Sequence, residues 1–491
     1  MILRFPLTNV LVIILCASSC MAQKSNFDEA LYTSYDSYKV EGLDIRRIKY
    51  DDIGGHISEL KDDKNYTVKQ VGTSIGGKPI NLIKFGNGDT KVLLWSQMHG
   101  DESTATRALF DIIHFFQSQG HESEKKAILD NLTIYMIPML NPDGAENFVR
   151  QNLLGIDINR DAVRLQTPEG QTLKRVRDSL NPEFGFNLHD QSTYYNAVRT
   201  DNPASLSFLA PAYNYEKDIN TVRGNAMKVI VHINQVLQNY IPGSVGRYND
   251  DFEPRAFGDN ITKWGTSTIL IESGGNLNDP EKKELRKLNY VAILSALESI
   301  ATKNYESLSV NDYVKIPEND RKLYDLKLIG ATYNLLGNDY IVDLGINKLE
   351  VDNKEKTNYF TIGRVMEIGD LSTYYGYHTL DASGMKMVNG KVYPKIVANQ
   401  AELRKLDLME LLKQGYTYVR LKQMPATNLD VDVPFNLLTE TYKLQDFNLH
   451  IGTPATFLLV SEGGIKYAVV NGNLIKIDQE IPKGANGIIM N

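Results

Sequence analysis

The chain has 491 residues, 42% hydrophobic and 23% charged, and a formal net charge of −7. That length suffices for more than one domain and a full hydrophobic core, and the composition is that of an ordinary soluble globular protein. An acidic balance with no basic stripe argues against a nucleic-acid binder.

At the amino terminus, a short cationic start (Met1 to Arg4) precedes the apolar run Val10 to Cys16. Small residues from Ala17 to Ala22 follow, then polar Gln23-Lys24-Ser25. This is the layout of a signal peptide over 1–22, cleaved after Ala22, and it predicts export to a periplasm, a cell surface or the medium. The apolar stretch is too short to span a bilayer, so no transmembrane helix is expected in the mature chain. Ser18-Ser19-Cys20 also admits a lipoprotein signal in which Cys20 carries a lipid anchor. The only cysteines are Cys16 and Cys20. A chain cleaved after Ala22 has no thiol, so any metal must rest on histidine and carboxylate.

Tyr66 to Phe85 alternates around Gly76-Gly77 and predicts a hairpin. Val92 to Trp95 predicts a buried strand, and Ala105 to Gln117 a helix with Leu109, Ile112, Ile113 and Phe116 on one face. Leu132 to Met139 and Phe184 to His189 read as strands, Asn220 to Tyr240 as a helix and Ser267 to Ile271 as a strand. Pro280 to Thr302 reads as a long closing helix. Strands alternating with helices predict an α/β fold: a mixed, mostly parallel sheet with helices on both faces. Beyond about Tyr305, short β-rich runs separated by Gly, Asn and Asp turns take over (Asp339 to Leu344, Phe457 to Val460, Tyr467 to Ile475). One helical piece, Gln400 to Gln414, interrupts them. The expected organisation is a catalytic domain over 23–305 and a β-rich domain over 306–491, with a sandwich as its expected form.

The first strand of the α/β pattern ends in Ser96-Gln-Met-His99-Gly-Asp-Glu102, just before the predicted helix. Ligands at the carboxyl end of a strand are where α/β proteins place their sites. One imidazole and one carboxylate can fill two corners of a zinc tetrahedron, with a distant ligand and a water in the others. Of the eight histidines, His189 is the one that ends a strand at that same edge. His99, Glu102 and His189 are therefore the predicted metal ligands.

The chain resembles the zinc carboxypeptidases of the carboxypeptidase A type in six elements that occur in order. They are His99-Gly-Asp-Glu102, Asn141-Pro-Asp-Gly144, Arg150, Asp157-Ile-Asn-Arg160, His189 and Glu272. The resemblance covers roughly residues 45–303. It implies one zinc ion, Glu272 as general base, and Arg150 as the donor to the oxyanion. It further implies Asn159 and Arg160 as the grip on a peptide's terminal carboxylate, with Asp157 orienting the first histidine. Tyr248 falls where the family carries a mobile tyrosine that caps the substrate. Asp101 stands where the digestive enzymes carry an arginine, so their subsite preferences are not transferred.

The expected function is an exported, zinc-dependent carboxypeptidase, a metalloprotease acting on peptide or protein C-termini. The alternatives are an amidase or endopeptidase of the same fold acting on peptidoglycan stem peptides, and a non-catalytic binding protein with a vestigial metal site.

Overall fold

The computed structural model describes residues 26–445 and 447–491. The expected signal peptide (1–22) and the Cys20 anchor lie outside the described residues. Among the described residues, no helix is long and apolar enough to cross a membrane.

The site hangs on an eight-stranded mixed sheet. In chain order its strands are β1 (Thr67–Thr73), β2 (Pro79–Phe85), β3 (Thr90–Ser96), β4 (Leu132–Ile137), β5 (Phe184–Asp190), β7 (Leu206–Leu209), β8 (Val245–Arg247) and β9 (Ser267–Ser273). The short β6 (Asn196–Ala197) pairs instead with Asn319–Asp320. Across the sheet the order is β1-β2-β4-β3-β5-β9-β7-β8. The central β4, β3, β5 and β9 run parallel, the hairpin strand β2 joins β4 antiparallel, and β7 turns antiparallel against β9.

Helices cover both faces: α1 (Asn26–Thr33), α2 (Tyr50–Asp62), α3 (Thr104–Gln117), α4 (Glu122–Asn131), α5 (Pro142–Asn147), α6 (Pro168–Leu180), α7 (Thr221–Leu237), α8 (Phe257–Lys263) and α9 (Lys283–Thr302). The strands are apolar on both sides because both are covered. Val92, Leu94, Phe186, Leu188, Ile269 and Ile271 pack with α3, α7 and α9. Leu93, Trp95 and Ile137 point the other way, against α6 and α8. Since strand side chains alternate, His189 and Glu272 belong to this second face. Local caps fix where the helices begin. Thr167 Oγ1 accepts from Gly170 N at 3.0 Å, with Pro168 in the first turn of α6. Asn220 Oδ1 accepts from Arg223 N at 2.9 Å at the start of α7. Each such cap contributes about 1 kcal/mol.

From Leu323 onwards a second eight-stranded sheet forms, in the order Tyr359–Gly369, Asn338–Asp352, Leu323–Leu335, Lys386–Val388, Phe457–Ser461, Gly464–Val470, Asn473–Lys476, with Tyr375–Asp381 also on Leu323–Leu335. A four-stranded sheet accompanies it, and its pairings are all parallel, unlike an antiparallel sandwich. The single helix expected over Gln400 to Gln414 is two short ones, Gln400–Leu403 and Leu408–Lys413. Asp407 breaks it, because its side chain accepts from Glu410 N at 2.9 Å and caps a new helix.

These sheets are fastened to the first. Arg47, 3% exposed, donates to Asp352 Oδ1 and Glu350 Oε2 at 2.8 Å each and lies 3.9 Å from the Tyr359 ring centroid. Arg46 also pairs with Glu350. Tyr194 donates to Asp325 Oδ2 at 2.8 Å, and Tyr377 donates to Thr193 O at 2.6 Å.

Candidate metal centre

β3 ends at Ser96, and the next residues are shaped by the turn that follows β4. Leu140 N and Asn141 N donate to Ser96 O and Gln97 O. Asn141 Nδ2 donates to Met98 O at 3.2 Å, while its Oδ1 accepts from Gly144 N at 2.9 Å. The two loops touch backbone to backbone. A Cβ on Gly100 would sit 1.9 Å from the carbonyl carbon of Gly144, so a side chain at position 100 would push the His99 loop away. This is the physical use of the Asn-Pro-Asp-Gly turn: it sets the depth of the loop that holds His99 and Glu102. His189 comes from the neighbouring strand β5, in register with Glu272 on β9.

The three expected ligands meet. His99, Glu102 and His189 are all buried and offer ligand atoms within 4.8 Å of one another. His99 Nδ1 lies 2.8 Å from Glu102 Oε1, His189 Nδ1 2.7 Å from Glu102 Oε2, and the two Nδ1 atoms 3.2 Å apart. Zinc with ligands at about 2.0–2.1 Å has tetrahedral edges of about 3.3 Å; the 3.2 Å between the two Nδ1 atoms matches that edge, and the 2.8 and 2.7 Å contacts to Glu102 are shorter. Two ring nitrogens that close satisfy nothing by themselves, and a cation between them and the carboxylate satisfies all three. Asp157 Oδ1 lies 3.1 Å from His99 Nε2, which puts the proton on that nitrogen and turns the Nδ1 lone pair inward.

Electrostatics follow from this crowding. Burial works against charge on Glu102, but His99 and His189 hold it well below the usual carboxylate range. Burial also opposes a proton on His99, yet Glu102 and Asp157 leave that imidazole raised to about 9 in the metal-free protein. Burial lowers His189. Glu272 keeps a partial opening to solvent, but enclosure by protein, then the charge of Glu102, raises its carboxyl well above the ordinary value.

Of the other expected residues, Arg150 lies over the ligands, with Nη1 3.1 Å from His99 Nδ1 and 3.2 Å from Glu102 Oε1. Its Nε donates to Asp157 Oδ2 at 3.1 Å. Asn159 turns its Oδ1 to Phe257 N at 2.9 Å, tying the Asp157–Arg160 turn to α8. Arg160 is exposed, with Nη1 donating to Asn159 O at 2.7 Å and Nε 3.5 Å from Glu253 Oε2. Tyr248 is half-buried. Its hydroxyl lies 3.3 Å from that of Tyr195, and burial, with Glu272 nearby, raises it.

Several neighbours carried no sequence signal. Asp190 accepts from Thr104 Oγ1 at 2.6 Å and from Lys282 Nζ at 3.1 Å, and Lys282 also donates to Ser273 O at 2.7 Å. One lysine thereby ties together the loops beyond β5 and β9. Glu253 and Asp259 stand beside Arg160, and burial followed by the Glu253 charge pushes the Asp259 carboxyl up to about 7. Asp190 was visible only as the residue after His189, and Lys282 not at all.

Fold and site together define an α/β protein with, among the described residues, one His-Glu-His cluster able to hold a metal, at the carboxyl edge of its parallel strands. Residues 57–223 match the model of the Peptidase_M14 family, zinc carboxypeptidase. A probable carboxypeptidase 2 of Arthroderma benhamiae is 25% identical over 138 residues, 27% of this chain and 25% of the relative. Carboxypeptidase E of Caenorhabditis elegans is 27% identical over 128 residues, 22% of this chain and 27% of that one. The chain thus spans about a quarter of the length of these curated relatives. A metallo-carboxypeptidase structure from Burkholderia cenocepacia is 14% identical, with a TM-score of 0.42 over 52% of this chain and 70% of that one. That likeness is too slight to add to the site geometry.

Proposed function

We propose that the protein is an exported, zinc-dependent carboxypeptidase, with residues 23–305 as its catalytic domain and 306–491 as a β-rich accessory domain. The observation that carries this reading is the meeting of His99, Glu102 and His189 beside Glu272, which is level with His189 on the adjoining strand. Bound there, zinc supplies a Lewis acid that polarises the scissile carbonyl and lowers the pKa of water towards about 7.

The chain's own residues supply the rest. Glu272 is the general base, taking a proton from the attacking water and handing it to the leaving amine. A raised carboxyl suits both halves of that shuttle. Arg150, already facing the ligands, donates to the oxyanion, and losing such a donor costs about 3 kcal/mol of barrier. Asp157 holds both His99 and Arg150, so a single carboxylate positions a ligand and the oxyanion donor. Arg160 and Asn159 grip the terminal carboxylate, for which a planar guanidinium fork is well shaped. Glu253 keeps that guanidinium company until substrate arrives. Tyr248 caps the bound end.

The test is a peptide digested with and without a chelator, its products read by mass spectrometry, in free-acid and C-terminally amidated forms. Stepwise loss of terminal residues from the free acid alone, abolished by the chelator, is the expected result. Cleavage of both forms would point to the endopeptidase alternative, and chelator-resistant cleavage would remove the metal from the reading.

A further inference from the structure

A cavity of about 910 Å³ opens where the loops beyond β5 and β9 face the second sheet. One wall is Thr193, Tyr194 and Asn276 to Pro280, into which the chain runs directly from His189 and from Glu272. The other wall comes from the second sheet and the segment after it, and includes Lys348, Tyr377, His378, Asn473 and Lys483. Its volume is at the upper end of the roughly 300–1,000 Å³ typical of ligand pockets.

Two features of the wall bear on what fills it. First, it presents strand edges. Tyr375–Asp381 pairs along one side with Leu323–Ile329, and Asn473–Lys476 pairs along one side with Tyr467–Val470. Such edges bind extended peptide through the main chain. Second, its charges are unevenly spent. Asp279 is engaged by Lys283 N and Glu284 N at the start of α9. Asp325 accepts from Tyr194 Oη and Lys348 N, and Glu350 is held by Arg46 and Arg47. Among the described residues, the Lys348 and Lys483 ammonium groups have no ion pair of their own. Each acid on the wall takes hydrogen bonds or an ion pair from within the protein; the Lys348 charge acts on Asp325 without a direct contact, and Lys483 is exposed with no carboxylate in contact.

We propose that this cleft receives the peptide segment preceding the scissile bond and favours segments that carry carboxylates. The inference rests on the carboxypeptidase reading, because a substrate whose last residue is held at the metal must leave over the adjoining loops.

The test uses the full chain and three hexapeptides with identical final two residues and Glu, Gln or Lys upstream. An N-acylated dipeptide, too short to enter the cleft, is the control. kcat/KM for the Glu peptide should exceed that for the Gln peptide by about three- to tenfold, as expected of two solvent-exposed charge pairs, and the margin should shrink in high salt. The double substitution Lys348→Glu with Lys483→Glu should erase or reverse the preference and leave the dipeptide rate unchanged. Equal kcat/KM for all three hexapeptides, or an equal loss on the dipeptide, would overturn the proposal. If even the dipeptide is not cut, the catalytic reading fails on its own. The cleft is then decided by fluorescence anisotropy of a labelled, amidated Glu-rich peptide, which should bind the unsubstituted chain more tightly than the double variant. Identical binding would overturn it.

Discussion

Replacing Asp157 with asparagine keeps the shape of the side chain and removes its charge. In the native protein one oxygen faces His99 Nε2 at 3.1 Å and takes the Asn159 N–H at 2.9 Å. The other takes the Arg150 guanidinium at 3.0–3.1 Å. The amide still caps the turn through one oxygen but turns an N–H₂ towards Arg150, and it no longer raises the basicity of the His99 ring. Loss of such a partner weakens metal binding by about 10–100-fold, which is roughly 1.4–2.8 kcal/mol. Zinc affinity of Asp157→Asn, measured by competition with a chromogenic chelator, should fall within that range while circular dichroism stays native. An affinity within twofold of the unsubstituted protein, in a folded variant, would refute the idea that Asp157 holds the first histidine for the metal.

Glu272→Gln should bind zinc as before and lose turnover by about 10²–10⁴-fold, and a variant retaining activity would remove the base assignment. Asp111→Ala should destabilise the fold by about 3–5 kcal/mol in urea titrations, because it strands Arg286. That arginine is 1% exposed and donates to Asp111, Leu43 O and Val40 O; a loss below about 1 kcal/mol would contradict this account. Asp259 gives a pH signature. Its folded pKa of about 7 exceeds the ordinary 3.8, so the folded state holds the proton more tightly and stability declines as pH rises between those values. Urea midpoints at pH 5 and pH 8 should therefore differ less in Asp259→Asn than in the native protein, and an unchanged difference would dismiss this carboxyl as the cause.

The metal ligands were legible because each sits where an apolar run stops. Val92 to Trp95 is a continuous hydrophobic run and Phe184 to Leu188 a buried one interrupted by Gly185 and Asn187, and a buried polar side chain at the end of such a run needs a partner. The α/β alternation was readable for the same reason. α4 escaped notice because its Glu-Ser-Glu-Lys-Lys start is polar on nearly every side, leaving only a weak apolar stripe. The break at Asp407 was written in the sequence as a capping residue with Glu410 three positions on, but the long helical period concealed it. The pairing of Arg46 and Arg47 with Glu350 and Asp352 had no signal, since nothing local in either segment specifies the other. The same holds for Lys282 reaching Asp190, and for the cleft, whose walls come from remote stretches of chain.

The two arginines just ahead of α2 act as a rivet between the layers. Arg47 is sandwiched by the rings of Tyr359 and Phe148, with centroids at 3.9 and 4.3 Å, while its fork is held by two carboxylates. Phe148 belongs to the turn that leads to Arg150, so the same stack touches both the far sheet and the approach to the metal. A part riveted so near the reactive centre is ill suited to swing aside as a door.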